Sequence, residues 1–190
     1  MRIVGGNHKG RPLAAPKGRN TRPTGDRARE AIFNKLAHAA WSPGVEGRRV
    51  IDLFAGSGAL GFEAMSRGAS FCLFVETDAA ARGAIRQNVE TLQRWGDTRI
   101  HRRDATQLGA KPANLGERFD LVFLDPPYGK GLGKIALERL IEGEWVSKDA
   151  VAVFEMGADE ADGAMAASGW TRLDEAEYGA ARVLYLKRSG

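Results

Sequence analysis

An alternation constrains this chain more than any other feature. Short runs of nearly continuous apolar character, at Val50 to Phe54, Phe71 to Glu76, Arg99 to Arg103, Phe119 to Asp125 and Val151 to Met156, are separated by stretches with helical spacing. Such runs mark strands covered on both faces. Strand and helix in turn build a parallel sheet whose right-handed crossovers place helices on both sides. The spacing predicts helices over Ala59 to Arg67, Ala79 to Trp95, more weakly Thr106 to Leu115, Leu132 to Trp145, and Asp159 to Ser168. The C-terminal part breaks the pattern. Trp170 to Tyr178 and Arg182 to Lys187 are joined by Gly179-Ala180-Ala181, too short for a crossover helix, so they are expected as an antiparallel hairpin at the sheet edge. The expected fold is α/β, a mostly parallel seven-stranded sheet with helices on both faces.

With 190 residues the chain has room for one ordinary domain and a small appendage. A single cysteine, Cys72, excludes an intrachain disulfide framework or a Cys-rich zinc site. The apolar stretches are too short to span a bilayer, so a soluble, cytoplasmic protein is expected. Charge is unevenly spread. Within residues 1–35, Arg2, Lys9, Arg11, Lys17, Arg19, Arg22, Arg27, Arg29 and Lys35 face only Asp26 and Glu30, whereas the whole chain carries a net charge of only +4. Residues 1–25, punctuated by glycine and proline, are expected as an extended basic arm with a possible short strand at Arg2 to Val4. The body is expected over 26–190. It begins with an amphipathic helix from Asp26 to Trp41, where Ala28, Ile32, Leu36 and Ala40 recur every four residues. A basic arm on a neutral body suits a polyanion, although a solvated tail has the same composition.

Four of the strands end in residues able to carry chemistry. The first runs into Asp52-Leu53-Phe54-Ala55-Gly56-Ser57-Gly58-Ala59-Leu60-Gly61, a GxGxxG between strand and helix that permits a tight turn and close backbone approach to a ligand. Glu76 ends the second strand, where a carboxylate can accept hydrogen bonds from ribose hydroxyls. Glycine loop and strand-end acid together point to a nucleoside-containing cofactor; a tight turn and a solvated glutamate are the plain alternative. Asp104-Ala105 ends the third strand, as an adenine contact or simply a helix cap.

The fourth strand ends in Asp125-Pro126-Pro127-Tyr128. The prolines fix a rigid exit and present a carboxylate, an outward carbonyl and an aromatic face together. That set suits a planar base with an exocyclic amine. The Asp125 carboxylate and the Pro126 carbonyl would accept its N–H groups, Tyr128 would stack on the ring, and charge building on the nitrogen during attack on a methyl group would be stabilised.

Together DLFAGSGALG, Glu76, Asp104-Ala105 and DPPY resemble the class I S-adenosylmethionine-dependent amino methyltransferases, which have a Rossmann-like fold. GNHKGRPL at Gly6 to Leu13 and RPTGDRAREAIFN at Arg22 to Asn34 are similar to the N-terminal signatures of the bacterial 16S ribosomal RNA guanine-N2 methyltransferase family. The resemblance implies S-adenosyl-L-methionine as cofactor, with Asp52, Phe54, Gly56 and Gly58 around its methionine moiety, Glu76 at the ribose and Asp104-Ala105 at the adenine. It implies that Asp125, Pro126, Pro127 and Tyr128 take the target guanine. The implied partner is 16S rRNA within the small ribosomal subunit or an assembly intermediate. Lys9, Arg11, Arg22, Arg27, Arg29 and Lys35 are the expected phosphate contacts.

No metal site is expected, because His8, His38 and His101 lack mutual spacing, and a monomer is the expected state. Another nucleic-acid amino methyltransferase is the nearest alternative. An NAD-dependent oxidoreductase shares the glycine loop and Glu76 but needs a second mononucleotide-binding half, against which the terminal hairpin argues. A non-catalytic RNA-binding assembly factor with a relict pocket is a third reading, disfavoured by the intact DPPY.

Overall fold

The computed structural model describes residues 1–17, 24–160, 167 and 169–190. Its elements are α1 (Asp26–His38), β1 (Arg49–Leu53), α2 (Ala59–Ser66), β2 (Phe71–Val75), α3 (Ala79–Leu92), β3 (Thr98–His101), β4 (Phe119–Leu124), α4 (Leu132–Glu142), β5 (Val146–Gly157), β6 (Trp170–Tyr178) and β7 (Ala181–Arg188). The strands form one seven-stranded sheet in the order β3-β2-β1-β4-β5-β7-β6. β1 to β5 are parallel, and β7 runs antiparallel to both β5 and β6. The terminal hairpin therefore sits at the edge, but its second strand reaches inward to pair with β5.

Two apolar layers lie on the two faces of this sheet. One joins Ile51, Leu53, Val122 and Leu124 to Ala136, Leu137 and Leu140 of α4. The other joins Val50, Phe74, Phe123 and Val153 to Ile32, Phe33 and Leu36 of α1, to Phe62 and Met65 of α2, and to Ile85 and Val89 of α3. Alternate residues of a strand serve opposite layers, which is why the runs in the sequence are apolar without a break.

Three expectations need correction. The weak helix over Thr106 to Leu115 is two single 3-10 turns, Ala105–Gln107 and Ala113–Leu115, because Gly109 adopts φ +64° and Pro112 lacks an amide hydrogen. The fourth helix stops at Glu142. Glu144 turns left-handed with φ +57°, and Trp145 drops into the core with its indole N–H donating to the Gly109 carbonyl at 2.8 Å. β5 then starts at Val146, opposite Phe119, five residues before its apolar run, and a register shift between Phe119 and Leu121 absorbs the extra length. The first helix ends at His38, short of Trp41. The helix expected over Asp159 to Ser168 falls mostly outside the described residues.

The basic arm is not extended over residues 1–17. It doubles back, with Ile3 N–H donating to Arg11 C=O at 3.0 Å, Gly10 N–H to Ile3 C=O at 2.8 Å and Leu13 N–H to Met1 C=O at 2.9 Å. In place of a strand at Arg2 to Val4 there is a single bridge between Arg2 and Pro12. Ile3 and Leu13 are buried in the layer shared with α1, α2 and α3. Gly6, with φ +75°, lies so close to the Ser66 carbonyl that a Cβ would sit 2.0 Å from its oxygen, so no other residue fits there.

Charge seals this junction. Glu63 of α2 is fully buried and accepts the N–H of Val4 at 3.0 Å and of Gly5 at 2.8 Å. Arg29, also fully buried, faces Glu63 at 3.5 Å and donates to the Thr24 carbonyl at 3.0 Å and the Arg2 carbonyl at 2.5 Å. Arg67 completes the cluster at 2.9 Å from Glu63. Arg29 is thus a structural cation and not one of the expected phosphate contacts. Removing one partner of a buried pair strands the other charge. Arg29→Ala is expected to destabilise the fold by about 3–5 kcal/mol in urea unfolding, whereas Arg27→Ala, two residues earlier and exposed, should change it by less than about 0.5 kcal/mol. Equal losses would contradict this division.

Candidate active site

The strand order reverses beside β1, which lies between β2 and β4 while β2 leads outward to β3 and β4 to β5. In open α/β sheets ligands sit at such a switch point, outside the carboxyl ends of the strands. The strand-end residues singled out in the sequence collect there.

Asp52 is buried next to the end of β1, and its carboxylate accepts the Gly61 N–H at 3.0 Å. Burial pushes its carboxyl well above the usual range, and Glu76 adds to the rise. Phe54 follows with φ +56°, a left-handed conformation that a bulky residue adopts only under constraint. The glycines then divide their work. A Cβ on Gly61 would lie 2.4 Å from the Phe74 ring and 2.7 Å from Cys72 Sγ, and one on Gly58 2.7 Å from the Phe62 ring, so both glycines serve helix-to-sheet packing. Gly56, with φ +58°, has nothing within 4 Å of where a Cβ would stand. Its backbone faces open space and is the part of the turn a ligand can approach.

Glu76 closes the turn from β2. One carboxylate oxygen accepts the Gly56 N–H at 2.8 Å and the other the Asp78 N–H at 2.9 Å. Asn88 of α3, fully buried, donates to the Ser57 carbonyl at 3.1 Å and exchanges two hydrogen bonds with Ala14, which ties the arm to the glycine turn. Asp104 is exposed and caps the following turn, accepting the Thr106 N–H at 2.8 Å and hydroxyl at 2.6 Å. Ala105 behind it is buried.

Asp125 leaves β4 across the crevice. Leu124 pairs with Phe154 of β5, so Asp125 and Glu155 stand side by side one step later. Both follow the alternation of Phe123 and Val153 and face the layer that α1 and the arm cover. Burial raises the Asp125 carboxyl well above its usual range, and the charges of Glu155 and Asp52 push it further. Glu155 is raised by its own burial and lowered in part by hydroxyl hydrogen bonds. These come from Thr24, which donates to one oxygen, and Tyr128, whose hydroxyl lies 3.3 Å from the other. Pro126 is buried, Pro127 is exposed, and the Tyr128 ring lies over Gly157, where a Cβ would come within 3.4 Å of it. Gly129 N–H, bonded to Glu160 at 2.7 Å, anchors the turn beyond.

Glu155, Thr24 and Asn88 are site residues that the sequence reading missed. The signal for Glu155 was present, since it is the one charged residue in the apolar run Val151 to Met156, at a strand's carboxyl end.

The cationic residues are spread out. Lys9 and Arg11 are exposed, and their loop reaches the end of α2 opposite the glycine turn, where His8 N–H meets Ser66 Oγ at 2.9 Å. Arg11 donates to the Thr91 carbonyl in the last turn of α3 at 2.8 Å. Lys35 is engaged by Asp174 at 2.9 Å and lies over the Tyr185 ring. Arg27 is exposed in the first turn of α1, three residues after Thr24. Arg22 lies outside the described residues. Among the described residues there is no group of three or more His, Cys, Asp or Glu able to hold a metal ion, and no helix is long and apolar enough to cross a membrane.

The family model described as "Conserved hypothetical protein 95" matches residues 1–187. The chain is 34% identical to "Ribosomal RNA small subunit methyltransferase D" of Haemophilus influenzae over 92% of its own length and 87% of that protein's. It is 36% identical to the Escherichia coli protein of the same name over 82% of its length and 74% of that protein's. A solved structure described as "Putative methyltransferase yhhF from Escherichia coli" superposes with a TM-score of 0.79 at 30% identity, covering 100% of this chain and 98% of the other. The fold is that of a class I methyltransferase.

The packing role of Gly61 gives a direct test. Gly61→Ala is expected to lower stability by about 1–3 kcal/mol through overpacking against Phe74 and Cys72, read as a drop in thermal midpoint in the absence of any ligand. An unchanged midpoint would mean that the glycine is not needed for packing.

Proposed function

The chain belongs to the family described as Conserved hypothetical protein 95, and from that footing we propose that it is a ribosomal RNA methyltransferase that uses S-adenosyl-L-methionine to methylate the N2 amine of a guanine in 16S rRNA of the small subunit, during or after assembly. The observation that carries this reading is the pairing, across one switch-point crevice, of an approachable glycine turn with a carboxylate, carbonyl and aromatic set at the end of β4. The names of the relatives support the substrate class.

The residues fit such a cofactor. Gly56 leaves its backbone open, and Asp52, Glu76, Asp125 and Glu155 gather negative charge that suits a cationic sulfonium and ammonium. Asp52, Phe54, Gly56 and Gly58 would surround the methionine moiety, Glu76 the ribose, and Asp104 with Ala105 the adenine. When bound, the cofactor supplies an electrophilic methyl group on sulfur, which departs with the C–S bonding electrons as a neutral thioether.

The protein's own part is to hold and polarise the amine. Asp125 and the Pro126 carbonyl accept its two hydrogens and turn the nitrogen lone pair toward the methyl carbon. Tyr128 stacks on the base once it leaves its neighbours in the RNA. As the new N–C bond forms, the nitrogen must shed a proton. A carboxylate whose pKa is raised is a better acceptor for it. Lys9, Arg11 and Arg27 remain exposed for phosphates, and the first two lie at the far ends of α2 and α3, so the RNA would extend well past the target base.

Incubation of this protein and methyl-labelled S-adenosyl-L-methionine with small-subunit particles from a strain lacking it is expected to yield labelled N2-methylguanosine. Asp125→Ala should lower kcat by about 100-fold or more. Labelled N6-methyladenosine would overturn the guanine assignment.

The raised carboxyls also set a pH dependence. Only ionised Asp125 carries the charge that stabilises the attacking amine and can take up its proton, and burial favours the protonated form, so activity is lost as pH falls through the raised pKa and is full above it. In a pH–rate profile, kcat/KM is expected to climb up to about tenfold per unit and level off with an apparent pKa above the ordinary carboxylate value of about 4. A profile already flat at pH 5 would contradict this.

A further inference from the structure

We propose that Glu155 selects guanine among the amino-bearing bases by accepting its ring N1–H, while Asp125 and the Pro126 carbonyl hold the adjacent exocyclic amine. This rests on the reading that the Asp125 to Tyr128 turn receives an amino-bearing base.

Three observations support it. Glu155 occupies the strand position beside Asp125, on the same face of the sheet and at the same carboxyl edge. Its side chain is committed to this place, being 4% exposed within an otherwise apolar run. A carboxylate is not put in such surroundings without partners, and among the described residues it makes no ion pair. Its partners are two hydroxyls, from Thr24 and Tyr128. A carboxylate offers about four lone-pair positions, so these two donors fix its orientation and leave capacity for another. Tyr128 is also the residue on which the base would stack, so the carboxylate is held next to the ring's expected position.

The hydrogen-bonding pattern of the bases does the rest. On the Watson–Crick edge of guanine the N2 amine lies beside N1–H, two donors in a row. In adenine and cytosine the amine lies beside an unprotonated ring nitrogen, whose lone pair would face the Glu155 carboxylate. The acceptors here, the Asp125 carboxylate, the Pro126 carbonyl and the Glu155 carboxylate, match only the first pattern. A site built to accept hydrogen bonds rejects a base that cannot donate them far more strongly than one that discriminates by shape. A base N–H reaching Glu155 would also stabilise its ionised form, which burial alone disfavours.

The test compares two substrates in two enzymes. RNA carrying guanine at the methylated position is set against the same RNA with 2-aminopurine there, which keeps the amine but replaces N1–H with a lone pair. The wild-type enzyme is expected to prefer guanine by about 30-fold or more in kcat/KM, the range for a hydrogen bond to a charged acceptor. Glu155→Gln keeps the size and the hydroxyl partners but adds an N–H donor, and the preference should fall to about threefold or less. A residue that only shaped the pocket would lower both rates together and leave the ratio unchanged. That result overturns the proposal while leaving the methyltransferase reading intact. So does a wild-type enzyme that uses 2-aminopurine as well as guanine, whatever the variant does. A wild-type enzyme that methylates neither RNA overturns the functional reading, and this inference with it.

Discussion

A carboxylate without solvent must be matched by whatever packs on it, and in this protein that demand joins the N-terminal arm to the body. Glu63 is enclosed in α2, a helix otherwise apolar enough to be buried along nearly its whole length. Two amides of the arm, the guanidinium of Arg29 and that of Arg67 supply its partners. Arg29 in turn binds the carbonyls of Arg2 and Thr24, one on each side of the arm. With this cluster in place, Ile3 and Leu13 complete an apolar layer, and Thr24 comes to rest on Glu155.

The candidate site is therefore a product of two constructions that meet. The parallel sheet delivers Asp52, Glu76, Asp104 and Asp125 to one edge, because strand ends on the same side of a βαβ array share that edge. The segment leading into α1 delivers Thr24 from a distant part of the chain. Burial raises the carboxyls of Asp52 and Asp125, and the charges of their acidic neighbours raise them further. The arrangement stores an electrostatic demand that a cationic cofactor, or N–H groups on a base, would satisfy.

Some of this was legible from residues alone. Strand positions followed from apolar runs, since a strand buried on both faces tolerates little else, and the hairpin followed from a connection too short to cross over. The glycine turn and Asp125 to Tyr128 were legible because their backbone requirements admit few residue types. What misled the reading was charge. Arg29 and Lys35 look like exposed phosphate ligands in a basic segment, but Arg29 neutralises Glu63 and Lys35 meets Asp174. Their partners lie 34 and 139 positions away, beyond any local pattern. The helix over Thr106 to Leu115 and the start of β5 were misjudged for a related reason. Trp145 leaves its helical period to fill a core position next to Phe119, a choice made by packing across the sheet.

By itself the sequence determined the type of sheet, the order of its parallel strands along the chain, and which carboxylates would end them. These depend on period, turn chemistry and connection length, all local quantities. Only the tertiary structure decided that the arm is part of the core, that Arg29 is a buried strut while Arg11 and Arg27 stay exposed, and that Glu155 stands beside Asp125. Those outcomes depend on which distant groups share a desolvated space, where an unmatched charge costs several kcal/mol, and no stretch of residues read alone contains both partners.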